Sequence, residues 1–444
     1  MTLKPLEIYK LLPKKNCKEC GDPTCLTFAM KLSGGKAKPE ACPYLDENAK
    51  TILGASTRPP VRKIRIGVGE RAITIGEELV QFRHEKSFFH EPGIFIAVND
   101  TMTAEAIQER VIFVRDGILT RVGTDLRLSG IGIRSLAGSP EPFARAVGAV
   151  ESVADLPEVL MAGDPAVMEA GLFVCGNYRP LIHAASPSQY REMCRLAKKY
   201  GCPLALKADT LDSLAELSGH CTAEGVENLV LDLSSPSLHA MLNASTAVRQ
   251  HAISRTTPAL GYPVCIDTSR GGHADASLIT GVTKFGSVLV CDDLPEASRK
   301  AVLVLRQNIY TDPQKPIQIT PGLYRVGTPG RDAPVLLTVN FSLTFFTLQG
   351  YLEASRVPCF MLIVDTEGLS VLTAVASGKL HEALVRDAIA KYGLAGEVSH
   401  RTLIIPGYAA PLSGRIEEAI GWKVLVGPRD AADIAEFLEK EWKT

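Results

Sequence analysis

Between residues 58 and 312, short apolar runs rich in β-branched side chains alternate with stretches of helical periodicity. The runs "KIRIGVG", "GIFIAVN", "VIFVRD", "PLIHAA", "PLALKA", "NLVLDL", "PVCID" and "SVLVCDD" read as strands. They are apolar on both faces, as parallel strands covered by helices must be. "SPSQYREMCRLAKKYG" and "TLDSLAELSGHCTAEG" carry apolar positions at helical spacing and polar residues between them. Eight or so βα repeats over about 250 residues predict a (β/α)8 TIM barrel, with a doubly wound open sheet as the alternative.

The pattern changes on both sides of this region. "TDPQKPIQITPGLYRVGTPGRDAP" is rich in Pro and Gly and reads as a linker. Beyond it, "PVLLTVNF", "PCFMLIVD", "TLIIPG" and "KVLVG" alternate with helical stretches, which predicts a small Rossmann-like sheet. At the front, "PLEIYKLLPKKNCKECG" reads as a short helix running into a cysteine-rich turn. "TCLTFAMKLSGGK" reads as a second helix with Leu26, Met30 and Leu32 on its apolar side, ended by Gly34-Gly35. The expected organisation is an α/β chain of four segments: a small N-terminal module over 1–57, a barrel over 58–312, a linker over 313–332 and a Rossmann-like domain over 333–444. The polar stretch "GASTRPP" joins the first two.

Composition narrows the function. A chain of 444 residues exceeds what one core serves. Hydrophobic residues at 46% and charged residues at 22% are a globular balance. A net charge of −1 argues against a general nucleic-acid binder, which needs a basic surplus. "MTLKPLEIYKLLPKK" lacks the apolar core of a signal peptide, and no run approaches the roughly 18 to 20 apolar residues of a membrane span. A cytoplasmic location is expected, and with it reduced thiols rather than a disulfide framework. Of eleven cysteines, seven (175, 194, 202, 221, 265, 291 and 359) are scattered, mostly within apolar runs, and read as small buried hydrophobes.

The other four form a cluster, Cys17-x2-Cys20-x4-Cys25-x16-Cys42. The C-x2-C pair puts two thiolates on one turn. Gly21-Asp22-Pro23 bends the chain so that Cys25 returns to the same centre, and Cys42 closes it from a distance. Four thiolates suit a 4Fe–4S cluster or a structural zinc. Structural zinc usually brings two matched C-x2-C pairs, and the missing second pair favours the iron–sulfur cluster. Four cysteine ligands leave no iron open, so electron transfer is the expected role.

The strand ends differ between the two larger segments. In the barrel they offer Asn99-Asp100, Asn177, Lys207, Asp232, Asp267 and Asp292-Asp293, which serve equally well as caps of the following helices. No acid–base pair or phosphate loop stands out, and a structural or docking barrel is favoured over a catalytic one. In the last domain the ends are read as small and mostly neutral, with Thr338, Asn340, Ser342, Thr344, Asp365-Thr366-Glu367-Gly368-Leu369-Ser370, Pro406-Gly407-Tyr408-Ala409, Ser413-Gly414 and Gly427-Pro428. No GxGxxG is present, so a dinucleotide site is poorly supported. Small side chains along one edge leave room for something bulky.

The whole chain, in this domain order and with "VDTEGLSVLTA" near its end, resembles the large (gamma) subunit of the corrinoid iron–sulfur protein of the acetyl-CoA pathway. The resemblance implies a cobalamin-type corrinoid, a 4Fe–4S cluster, and a heterodimer with a small subunit that is also a barrel. It implies a methyl carrier: Co(I) takes a methyl group from methyltetrahydrofolate through a separate methyltransferase and passes it to the acetyl-CoA synthase/CO dehydrogenase. The cluster returns Co(II) to Co(I). Carried over residue by residue, Cys17, Cys20, Cys25 and Cys42 are the cluster ligands. Thr338, Thr344, Gly368, Leu369, Ser370, Val371 and Ala431 are the expected corrinoid contacts, with Gly368 leaving the macrocycle or its tail unobstructed. No residue of this chain is expected to be catalytic, and neither a nucleic acid nor a membrane is an expected partner. None of the nine histidines lies in a D-x-H-x-x-G motif, so cobalt is expected to have no protein ligand and the corrinoid base to be displaced. Two other readings remain: an iron–sulfur electron-transfer subunit without corrinoid, and a folate-binding barrel methyltransferase.

Overall fold

The computed structural model describes residues 5–33, 37–47, 49–50, 53, 59–311 and 316–442. Gly34-Gly35, residues 54–58 of the first connecting stretch and residues 312–315 of the second lie outside the described residues. The chain divides into two compact units, 1–119 with 126–310, and 120–125 with 311–444.

The first unit opens with helices Pro5–Leu11 and Cys25–Ser33, which pack around Ile8, Leu12, Phe28, Ala29 and Leu32. Here the expected apolar face is corrected. Cys25 starts the second helix facing inward, and helical spacing from it buries Phe28, Ala29 and Leu32. Leu26 and Met30 fall on the other side and are 37% and 59% exposed.

A hairpin of β1 (Ile64–Ile66) and β2 (Ile73–Ile75) follows, paired antiparallel. It is not a barrel strand, although "KIRIGVG" reads as one. Ile64, Ile66 and Ile75 join the barrel's interior core with Phe95, Val159 and Val290. Gly67 N–H donates to the Arg179 carbonyl and Arg62 N–H to that of Gly261, both just ahead of barrel strands, so the hairpin plugs the N-terminal end.

The barrel is built on β3 (Gly93–Asn99). A small excursion, β4 (Leu119–Arg121) and β5 (Thr124–Leu126), precedes the next staves. These are β6 (Gly130–Arg134), β7 (Glu158–Met161), β8 (Leu181–Ala185), β9 (Leu204–Leu206), β10 (Leu229–Asp232), β11 (Val264–Asp267) and β12 (Gly286–Cys291). Eight parallel strands close in sequence order, β12 pairing back onto β3 with Val288 opposite Gly93. "VIFVRD" is not a strand: it is the end of helix Ala104–Asp116, capped by the Thr103 side chain, with Ile107, Val111 and Val114 buried. β6 and β7 take the two places that the sequence reading gave to "KIRIGVG" and "VIFVRD". β6 reads "GIGIR", and a Cβ at Gly130 would collide with the Pro157 carbonyl oxygen and the Phe95 ring.

The second unit holds β13 (Gly322–Val326), β14 (Val335–Val339), β15 (Cys359–Val364), β16 (Thr402–Ile405) and β17 (Lys423–Val426), in the order β13-β15-β14-β16-β17. β14 to β17 are parallel, and β13 runs antiparallel on the edge against β15. The segment read as a linker over 313–332 therefore contains a strand. Its Pro and Gly flanks hide the signal, and an edge strand needs only one partner. Val335, Leu337, Phe360 and Leu362 face one layer of helices; Leu336, Met361, Ile363 and Ile404 face the other. Among the described residues, no helix is long and apolar enough to cross a membrane.

Candidate functional site

In the second unit the chain leaves β14 for β15 on one side and later returns to β16 on the other. That reversal is a topological switch point, where helices diverge to opposite faces and leave a crevice at the strand carboxyl ends. A cavity of about 500 Å³ lies there, between Thr338 of β14, Ile404 and Ile405 of β16, and the helix Ser342–Ser355.

Five of the seven expected corrinoid contacts line it: Thr338, Thr344, Ser370, Val371 and Ala431. Gly368 and Leu369 do not. Gly368 has φ +75°, and a Cβ there would come 2.7 Å from Gln318 Cγ, so the turn itself demands glycine. The Leu369 carbonyl accepts the Thr366 hydroxyl at 3.1 Å and closes the same turn. Asn340 holds this turn in place. Its Oδ1 accepts the N–H groups of Thr366 at 2.9 Å and Gly368 at 3.0 Å, and its Nδ2 donates to Asp365 at 3.0 Å. The sequence marked Asn340 as a strand end; only the fold shows it as the hub.

The cavity wall is mostly apolar, with Leu343, Leu372 and Tyr408 half-exposed at its rim. Arg429 and Asp430 are the charged residues lining it, and Asp430 caps the following turn by accepting the Ala432 N–H at 3.0 Å. No histidine is among the lining residues. Apolar walls with a few hydroxyls suit a large ligand with apolar faces and polar edges. Nearby, the Ser342 hydroxyl is buried without a hydrogen-bond partner. No acid–base pair is among the lining residues.

The cysteine loop has an unusual backbone. Lys14, Asn16, Lys18 and Gly21 have φ of 55°, 48°, 64° and 83°. Left-handed residues alternating with ordinary ones turn successive N–H groups into a concavity, a common cradle for anionic centres. Asn16 N–H donates to Cys25 Sγ at 3.4 Å, and Asn16 Oδ1 accepts the Cys25 N–H at 2.8 Å. Lys31 Nζ stands 2.5 Å from the buried Asp22 carboxylate and ties the turn to the second helix. The Cys42 thiol is pushed up, first by burial and then by Cys20, Cys17 and Cys25, so the four share one neighbourhood. They do not form a closed ligand set: among the described residues no three His, Cys, Asp or Glu side chains are grouped to hold a metal ion. The donor chemistry fits an iron–sulfur cluster, four soft thiolates with N–H donation to sulfur. The seven scattered cysteines are all buried. Burial pushes the thiols of Cys202, Cys291 and Cys359 up to about 12.

The barrel's strand ends pair with one another. Arg134 donates to Asp267 at 3.0 Å and to Asp292 at 2.5 Å. Asp100 accepts the Ser135 hydroxyl and the N–H groups of Leu136 and Ala137. His183 sits 3.1 Å from Asp232. Burial works to raise the Asp232 carboxyl, but the His183 ring and Ser234 outweigh it and hold the group at about 2. Burial, then Arg270, lowers Lys207. Asn177 is no strand end; it lies in the turn Gly176–Tyr178 ahead of β8. His183, the interior partner in this network, went unnoticed in the sequence because "PLIHAA" reads only as a strand.

Comparison with known proteins adds the rest. The family model for the CO dehydrogenase/acetyl-CoA synthase delta subunit matches residues 63–438, and a model for an Fe-S cluster matches residues 12–44. The corrinoid/iron-sulfur protein large subunit of Moorella thermoacetica is 39% identical over 98% of this chain and 98% of its own. The acetyl-CoA decarbonylase/synthase complex subunit gamma of Methanopyrus kandleri is 37% identical over 99% of this chain and 98% of its own. The larger model, named for a delta subunit, begins beyond the cysteine loop, whereas these relatives span nearly all of the chain. Among solved structures, a dihydropteroate synthase from Thermus thermophilus is 17% identical, covering 56% of this chain and 100% of its own at a TM-score of 0.39, too distant to bear on function.

Proposed function

This chain belongs to the family of corrinoid/iron-sulfur protein large subunits, the gamma subunits of acetyl-CoA decarbonylase/synthase complexes, and from that premise we propose that it is a corrinoid methyl carrier with its own electron-transfer module. The observation that carries this reading is the switch-point cavity, apolar and without acid–base machinery, on a chain that also has a cysteine loop matched by an Fe-S model. When bound, the corrinoid would supply a cobalt centre able, as Co(I), to accept a methyl group originating from methyltetrahydrofolate through a separate methyltransferase and to give it up to acetyl-CoA synthase. Cys17, Cys20, Cys25 and Cys42 would hold a 4Fe–4S cluster, which would supply low-potential electrons for returning Co(II) to Co(I).

The chain's own residues then have three tasks. Thr338, Thr344 and Ser370 present hydroxyls to the corrinoid's polar groups, while Val371 and Ala431 leave it room. Asn340 fixes the turn that carries Ser370. Asn16 orients Cys25 and directs an N–H at its sulfur, which stabilises the thiolate. The partners are a small barrel subunit, the methyltransferase and the acetyl-CoA synthase/CO dehydrogenase. With no D-x-H-x-x-G motif in the sequence, we infer that no histidine of this chain would serve as a lower ligand to cobalt; a corrinoid base displaced as well, which the missing motif does not itself require, would ease reduction of Co(II).

The visible spectrum of the purified protein tests the reading: corrinoid bands beside the cluster absorption are expected. Cluster absorption alone would instead support an electron-transfer subunit, and methyl transfer from methyltetrahydrofolate by this chain alone would support a barrel methyltransferase. Cys20→Ala should keep its corrinoid and lose reactivation by a low-potential donor. The Co(II) EPR signal should lack nitrogen superhyperfine splitting.

A further inference from the structure

We propose that the N-terminal end of the barrel carries a second binding site, for a small ligand bearing two or more linked phosphates. A cavity of about 360 Å³ lies between the β1–β2 hairpin and the loops that enter β8, β9 and β10. It is lined by Lys63, Arg65 and Arg179, with Thr74, Asn228 and Gly201 between them, and no carboxylate lines it. That is an unusual concentration in a chain whose net charge is −1. At the opposite, C-terminal mouth the strand-end carboxylates and cations pair with each other.

The three cations are not equally engaged. Lys63 Nζ pairs with Glu77 at 2.8 Å, and Arg65 donates to the Gly69 carbonyl at 3.1 Å. Among the described residues no carboxylate pairs with the Arg179 guanidinium, which lies over Gly201, where an added Cβ would meet Arg179 Nε at 3.5 Å. Arg179 also holds a left-handed backbone, φ 54°, a conformation more usual for glycine. Its carbonyl takes the Gly67 N–H at 3.0 Å and so locks this residue to the plug hairpin. Arginine at a fixed point with a vacant fork is suited to bidentate contact with phosphoryl oxygens. Thr74 and Asn228 supply donors for the oxygens that remain. Two linked phosphates match the Arg179 and Arg65 guanidinium groups, with Lys63 shared with Glu77, better than a single phosphate does, and the volume lies in the range of small-ligand pockets. The ligand class is a nucleoside di- or triphosphate or another small polyphosphate. The site lies away from the strand carboxyl ends, where barrel enzymes do their chemistry, and so serves regulation or tethering rather than catalysis.

Tripolyphosphate titrated calorimetrically into the full-length protein tests this. One saturable site with Kd below about 1 mM is expected, weakening as ionic strength rises. Arg65→Gln/Arg179→Gln should weaken it by at least about tenfold. Both side chains are exposed, and unchanged corrinoid content and thermal midpoint would show that the variant is folded. Absence of saturable binding, equal affinity in the double variant, or citrate binding as tightly as tripolyphosphate would each overturn the proposal.

Discussion

The C-terminal mouth of the barrel and the carboxyl edge of the second unit's sheet are built from the same parts: parallel strands, each followed by a helix. The barrel mouth has long charged side chains that satisfy one another, Arg134 with Asp267 and Asp292, His183 with Asp232. The sheet edge has Thr, Ser, Gly and Ala, which cannot reach across, and a cavity remains. Whether a cavity is left at these two sets of strand ends thus follows from whether the side chains there are long enough to complete each other. Architecture alone does not decide it.

The most forceful way to break that contrast is to fill the edge. Ala431→Trp should reduce corrinoid affinity at least about a hundredfold, measured by equilibrium binding of added cobalamin, with circular dichroism unchanged. A matching Ser269→Trp at the barrel mouth should leave corrinoid affinity unaltered. Next in size is Asn340→Ala, which strands the N–H groups of Thr366 and Gly368. A loss of about 2 to 3 kcal/mol in the second unit's stability is expected by denaturant melting, together with about tenfold weaker corrinoid binding.

The barrel mouth is better probed by pH. Asp232 has a folded-state value of about 2, below its unfolded value, so its contribution is fully present above about pH 4 and is lost as pH falls through 2. The stability gap between wild type and Asp232→Asn should be about 2 kcal/mol near neutrality and close to zero at the acid end, read from urea midpoints at each pH. The smallest effect is Gly368→Ala. Positive φ and the approach of Gln318 predict a loss of about 1 kcal/mol in the second unit's stability, read by denaturant melting.

Much of this was legible in the chain. Six of the eight barrel staves are short apolar runs bounded by helical stretches, and the four parallel strands of the second unit are equally plain. The errors have separate physical causes. "VIFVRD" has strand composition, but Thr103 caps a helix whose apolar positions 107, 111 and 114 step by four and three. "GIGIR" is a strand whose Gly130 is required by the Pro157 carbonyl and the Phe95 ring and whose Gly132 lies against Val290, neighbours that no local pattern reveals. β7 opens with a charged residue, Glu158, that the fold buries. Thr338, Thr344, Ser370, Val371 and Ala431, singled out because they flank strand ends, line one cavity. Gly368 and Leu369 lie in the turn beside the cavity, where a glycine needed by a turn looks the same as one needed by a ligand. Asn340 and His183 act through partners 25 to 49 residues away, and such pairings are invisible along a sequence.

The edge strand β13 also has a protective meaning. The chain is stitched to the second unit from Ile317 onward, through Ser342 N–H to the Ile317 carbonyl at 3.1 Å and Ile319 N–H to the Asn340 carbonyl at 2.9 Å. Without β13 the outermost strand of the sheet would be β15, whose residues Cys359–Val364 are all buried. Its row of backbone N–H and carbonyl groups would then face outward as a template for another chain. One short strand, hidden in a composition that reads as linker, thereby guards the most hydrophobic strand of the unit against pairing with a stranger.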